Sequence, residues 1–130
     1  KCVEHVQRLF TKRIVRDVPY SVRLQMLGLH SLEHRRLYFD LVLLFKIVHG
    51  FSGLSMSDIG VSTGHSGYSL RNSGFLLHAD EVATCNVSMS SFVYRTTRLW
   101  NALPKSAYGM SLGAFKRFVI NLDLIKLSSE

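Results

Sequence analysis

The chain has 130 residues, enough for one hydrophobic core and too few to argue for two. With 47% hydrophobic and 19% charged residues it is excluded from the class of solvated disordered tails. Two cysteines, Cys2 and Cys85, cannot build a disulfide scaffold, which points to a reducing, intracellular compartment, cytoplasmic or nuclear. The net charge of +7 and a pI near 9.8 favour an acidic partner, with nucleic acid ahead of an anionic membrane surface.

The charge is placed unevenly. From Lys1 to His49 there are 9 basic and 4 acidic residues, from Gly50 to Met89 1 and 3, and from Ser90 to Glu130 6 and 2. Two basic ends therefore flank a neutral to acidic middle. The longest apolar run, Leu41 to Phe45, stops at Lys46 and falls far short of the ~20 residues needed to cross a bilayer. The chain opens on Lys1 and not on a methionine, so it reads as either processed or, in preference, a fragment of a longer polypeptide.

In chain order, Val3, Val6, Phe10 and Ile14 are spaced three, four and four apart and predict the apolar face of a first helix that ends before Asp17 and Pro19. Arg8, Lys12 and Arg16 fall four apart on another side, a basic stripe that reads either as an ordinary solvated helix surface or as cations each placed to meet a different phosphate. A short amphipathic turn, YSVRLQMLGLH, follows Pro19, with Gly28 at a left-handed helix end. Ser31 is the expected N-cap of a central helix, whose Leu37, Leu41, Leu44, Phe45 and Val48 form one stripe and which Gly50 terminates. Within that helix Arg36 and Asp40 have the i, i+4 spacing of a surface pair, which leaves Arg35 for an external contact.

Residues 50–89 are rich in Gly and Ser and read as a long loop, with room for one short β-hairpin in GFLLHADEVATCNVSM around Phe75, Leu77 and Val82 to Val87. Helical spacing returns at Ser90. Phe92, Thr96, Leu99 and Leu103 share a side, Val93 and Trp100 lie beside them, and Pro104 stops the helix. Trp100 reads as a core anchor, and Tyr94 as the better candidate for base stacking, though core packing is the commoner use of either ring. Arg95 and Arg98 occupy the neighbouring face. Ser111 is placed to cap a last helix with Leu112, Phe115, Val119 and Leu122 inside and Lys116 and Arg117 outside, after which KLSSE is expected to fray. The fold class that results is mainly α: a single small irregular helical module over 1–130, helical at 1–49 and 90–125 and loop-rich at 50–89.

No catalytic constellation emerges. Two-metal nucleotidyl transfer needs converging carboxylates, but Asp17, Asp40, Asp58, Asp80 and Asp123 are scattered over different elements. Cys2 and His5 lack a second pair to complete a zinc site. His30 and His34 are separated by the Ser31 cap and are not expected to share a face. STGHSG lacks the lysine and preceding strand of a phosphate-cradling loop, and no spacing suggests a Ser, His, Asp triad. No metal and no cofactor is implied.

The order of motifs RLFTKRI, YSVRLQMLGLHSLEHRRLYFDLVLLFKIVHG, STGHSGYSL, SFVYRTTRLWNALP and AFKRFVINLDL resembles the C-terminal segment of the reverse transcriptase polyprotein of non-LTR retrotransposons, of the jockey and RTE kind. The resemblance covers nearly the whole chain and is strongest in LGLHSLEHRRLYFDL and in the run ending Trp-Asn-x-Leu-Pro at Pro104. Where the family has a Thr-Arg-Gly-His segment this chain reads Ser62-Thr63-Gly64-His65, without the arginine. What the resemblance implies is a position within an RNA-directed DNA polymerase and not catalysis by this chain, since the paired aspartates of the polymerase motif are absent from it. Its expected partners are the upstream polymerase domain and template RNA, target DNA or their hybrid. Arg8, Lys12, Arg16, Arg35, Arg95, Arg98, Lys116 and Arg117 are the expected phosphate contacts. Two alternatives stand beside this reading: a helical protein-interaction or structural module, and a degenerate retroelement remnant without activity.

Overall fold

The computed structural model describes residues 2–63, 76–79 and 91–129, which form six α-helices, two short 3-10 turns and one two-stranded antiparallel sheet. The mainly helical class expected from the sequence is the one observed. In chain order the helices are α1 (Cys2–Ile14), α2 (Tyr20–Met26), α3 (Leu32–Val48), α4 (Phe92–Asn101), α5 (Leu112–Ile120) and α6 (Leu124–Ser129). The strands are β1 (Val61–Thr63) and β2 (Leu77–Ala79). The chain divides into two compact units, Lys1–Arg36 and Leu37–Glu130, with the division falling inside α3.

Local chemistry sets most of the helix ends. Ser31, Ser91 and Ser111 each accept a hydrogen bond from the backbone N–H three residues on, at 3.1, 3.4 and 3.3 Å, and Asp123 does the same for Lys126 at 3.2 Å. Each satisfies a donor that the first helical turn leaves unpaired. At the other ends Gly28 (φ 61°) and Gly50 (φ 69°) take the left-handed conformation. They let Leu29 N–H reach the Leu24 carbonyl and Phe51 N–H reach that of Lys46, the backbone pattern that closes a helix. A side chain at either position would be strained by its own backbone.

The first unit is built the opposite way round from the expected one. Val3, Val6, Phe10 and Ile14 do share a face of α1, but they are 70%, 64%, 63% and 55% exposed. The face turned inward is Glu4, Gln7 and Thr11, and Thr11 is fully buried. Its hydroxyl donates to the Gln7 carbonyl at 2.9 Å, so the helix satisfies this buried polar group itself. Gln7 donates to the His30 carbonyl at 3.2 Å, and Glu4 accepts from Tyr20 Oη and, at 3.1 Å, from the N–H of Leu32. Hydrogen bonds to that inward face hold what apolar burial was expected to hold.

The second unit has the hydrophobic core. Leu37, Leu41, Leu44 and Phe45 of α3 meet Leu99, Trp100 and Leu103 from α4 and its end, Phe115 and Val119 of α5, and Leu124 of α6. Phe45 and Phe115 stack with ring centroids 4.1 Å apart, and Trp100 lies 6.3 Å from each. Tyr108 stands 5.1 Å from Trp100 and its hydroxyl donates to the carbonyls of Trp100 (2.9 Å) and Leu103 (3.2 Å), closing the end of α4. Burial pushes the Tyr108 hydroxyl above the ordinary tyrosine pKa. His49, stacked on Phe45 at 3.9 Å, has its two ring nitrogens 2.9 and 3.0 Å from the carbonyls of Phe45 and Tyr108. A neutral ring can donate to only one of them.

The hairpin differs from the expected one. β2 carries Leu77 as anticipated, but its partner is β1, which the sequence placed in loop; Val61 pairs with Ala79, Ser62 with His78 and Thr63 with Leu77. Val61 and Leu77 face the core while Ser62 and His78 face outward, the period-2 alternation of a one-sided sheet. Phe75 and Val82 to Val87, together with Gly64 and His65 of the STGHSG motif, lie outside the described residues. Strands of three residues are marginal by themselves. Asn101 anchors β2: its Oδ1 accepts from Leu77 N–H at 3.0 Å and its Nδ2 donates to Leu77 C=O at 2.8 Å, so a side-chain amide stands in for a neighbouring strand.

Two further expectations are corrected. Asp40 pairs with Arg95 of α4 and not with Arg36: both side chains are only 17% exposed, and Arg95 Nε and Nη2 donate to Asp40 Oδ2 at 2.9 and 2.6 Å. The half-buried guanidinium, with its fixed fork, wins over an exposed i, i+4 neighbour because the carboxylate gains two bonds in a less watery place. The end of the chain is helical to Ser129 instead of frayed, because Asp123 caps α6 and Leu124 is fully buried.

Removing the amide clamp tests its share of the stability. Asn101→Ala leaves both polar groups of Leu77 without it and should cost about 2 kcal/mol, with Asn101→Asp, which loses the donor alone, falling between. Phe115→Ala should cost more, about 3–5 kcal/mol, through the cavity left beside Phe45. Urea titrations of the three variants give the order.

Candidate nucleic-acid interface

Cations dominate the first unit. It carries eight Lys and Arg residues against the three carboxylates Glu4, Asp17 and Glu33. The excess is concentrated at the end of α1, where Lys12, Arg13 and Arg16 line an open hollow together with Leu9 and Asp17. Positions 9, 12 and 13 follow the i, i+3, i+4 spacing of one helical face, and Arg16, just past the end of α1, joins Lys12 and Arg13 around the same depression. Asp17 sits just beyond in the left-handed region at φ 62°, a conformation that Asp tolerates better than most residues. The three cations are exposed.

The basic stripe expected at Arg8, Lys12 and Arg16 is therefore divided. Lys12 and Arg16 share the hollow, but the Arg8 guanidinium lies 4.7 Å from the centre of the Tyr20 ring, engaged in a cation–π contact. Arg23, buried to 8% exposure, approaches the same ring at 5.6 Å and donates to the Val18 carbonyl at 2.8 Å. Tyr20 is thus held by two guanidinium groups and by Glu4. Burial, and then the Glu4 carboxylate, push its hydroxyl from 10.0 up to about 12, against the opposite pull of Arg8 and Arg23.

The remaining expected contacts are dispersed. Arg35 is exposed on α3, Arg98 on α4 and Arg117 on α5, and Lys116 is half-buried. Arg95 stands apart from these: its guanidinium is committed to Asp40 as a cross-helix tie. Arg13, absent from the expected contacts, belongs with Lys12 and Arg16. Its signal is the i, i+3, i+4 spacing of Leu9, Lys12 and Arg13 on α1, which a strict i+4 series skips.

Three of the carboxylates have structural partners. Asp40 holds Arg95, Asp123 caps α6, and Asp58 accepts from the backbone N–H and then the hydroxyl of Ser55, which hold its pKa below the usual carboxylate range. His30 and His34 correct the expectation that they stay apart. Their rings stack at 4.5 Å although His30 precedes the cap. Among the described residues no three His, Cys, Asp or Glu side chains gather in a metal-binding group, and no helix is long and apolar enough to cross a membrane. No protein-family model, curated protein or solved structure matches the chain.

The Tyr20 node makes the first unit sensitive to alkali. A folded-state pKa above that of the unfolded chain gives a contribution that is complete below pH 10 and is lost as pH rises from about 10 to about 12, because the unfolded tyrosine ionises first. Tyr20→Phe should flatten the fall in stability over that window, as read from denaturation midpoints at successive pH values. An unchanged slope would assign the alkaline loss to other groups, Tyr108 among them.

Proposed function

We propose that this chain is a non-catalytic, sequence-tolerant nucleic-acid contact, acting as the C-terminal region of a retrotransposon reverse transcriptase and supporting RNA-directed DNA synthesis by the upstream polymerase domain. The observation that carries the proposal is the grouping of Lys12, Arg13 and Arg16 around one open hollow, in a unit with a large excess of positive charge. Flexible exposed cations meet phosphates without reading base edges, so affinity comes mainly from counterion release and carries little sequence preference. Arg35, Arg98, Lys116 and Arg117 are further phosphate contacts in this reading, as separate charges, while Arg8 is engaged by Tyr20. The motif resemblance supplies the polymerase context and an intracellular site of action, in cytoplasm or nucleus. Template RNA, target DNA and their hybrid share the same phosphate chemistry, and the proposal takes all three as ligands.

Binding to duplex DNA or RNA should weaken linearly in log affinity against log salt. Lys12→Ala, Arg13→Ala and Arg16→Ala together should reduce that slope by about 2–3, near 0.9 for each phosphate no longer neutralised. Fluorescence anisotropy over a salt series reads both quantities. Undetectable binding, or a slope that the triple variant leaves unchanged, would remove the proposal.

A further inference from the structure

The exposed apolar side of α1 stands outside the nucleic-acid reading. Val3, Val6, Leu9, Phe10 and Ile14 are all more than half exposed, on one helix of 13 residues. Such a concentration of large apolar side chains marks an interaction surface and not the scatter normal to a protein exterior. The stripe from Val3 to Ile14 spans roughly 17 Å, three helical turns, which is the footprint of a second helix. The inward face of α1 is fixed by Glu4, Gln7 and Thr11, so the helix cannot simply rotate to bury its apolar side.

We infer that α1 docks an amphipathic helix whose apolar side covers Val3, Val6, Phe10 and Ile14 and whose flank is acidic. Charge complementarity selects this occupant. The stripe runs through Leu9 into the hollow lined by Lys12, Arg13, Arg16 and Asp17, so a carboxylate one edge away from the partner's apolar side meets three cations against one resident carboxylate. A second copy of α1 fits poorly, because it supplies no acidic edge for these cations: the acidic residue of the helix, Glu4, is already occupied by Tyr20 and Leu32. A lipid surface also fits poorly. The stripe has no Trp or Tyr to anchor at headgroups, and only one of its edges is cationic, the other being packed against the rest of the unit at Thr11.

The test uses the full chain with a labelled 15-residue helical peptide, on the order of four turns, bearing Leu at three-four-four spacing and Glu along one edge. The same peptide with Lys in place of Glu is the control. The Glu peptide should bind, with the Lys peptide at least about tenfold weaker, and Lys12→Glu, Arg13→Glu and Arg16→Glu together should reverse that preference. Val6→Ser with Phe10→Ser should weaken the Glu peptide by about tenfold or more, since each removes an apolar anchor. Both positions are exposed, so far-UV circular dichroism and the salt slope of nucleic-acid binding should stay as they are, which separates this surface from the phosphate contact. Equal binding of the two peptides, no binding, or indifference to the serine variant would overturn the inference. So would dimerisation in sedimentation equilibrium, or tighter binding to phosphatidylserine vesicles, if either is abolished by Val6→Ser with Phe10→Ser.

Discussion

The burial of Trp100 is the constraint on which the second unit turns. The indole occupies the space between Phe45 of α3, Phe115 of α5 and Tyr108 after α4, and it is 1% exposed. A ring of that size can be buried only if the helix end beside it is closed without water. The Tyr108 hydroxyl does this for the carbonyls of Trp100 and Leu103, and Asn101 turns the adjacent position into a clamp on β2. Leu103 enters the same core, and Pro104 starts the 3-10 turn that brings Tyr108 back. The Trp-Asn-x-Leu-Pro run therefore works as a fold determinant, every named residue of it being used in architecture.

The first unit obeys a different rule. Its α1 turns polar side chains inward and satisfies them with a small hydrogen-bond network centred on Glu4, which takes Tyr20 Oη on one oxygen and the first N–H of α3 on the other. Hydrogen bonds of this kind contribute modestly, about 1 kcal/mol each net of water, but leaving one unmade costs more. The arrangement leaves two things outside at once: the cations Lys12, Arg13 and Arg16, and the apolar stripe. A phosphate surface and a docking surface on one short helix are compatible, because they occupy neighbouring faces that share only Leu9 at their border.

The fold consumes some of this chain's charges and leaves others exposed. Arg95 and Asp40 neutralise each other across two helices, Arg8 and Arg23 grip Tyr20, and Asp58 and Asp123 organise turns. What remains exposed includes Lys12, Arg13 and Arg16 at the end of α1, with Asp17 beside them, and the dispersed Arg35, Arg98 and Arg117. That remainder, and not the total of +7, is what a polyanion would meet.

Sequence by itself determined the local features of this protein: the central helix from the Ser31 cap to Gly50, the α4 stripe, the Ser111 cap and the left-handed Gly28. Each depends on residues within about four positions of one another, where helix geometry and capping act directly. The tertiary structure decided which face of α1 turned inward, that Asp40 chose Arg95 over Arg36, that β1 paired with β2, that α6 continued the chain end and that Arg13 joined the basic group. These outcomes rest on competition between partners distant in sequence. An amphipathic pattern states that a helix has two sides, and only the neighbours supplied by the rest of the fold settle which side they cover.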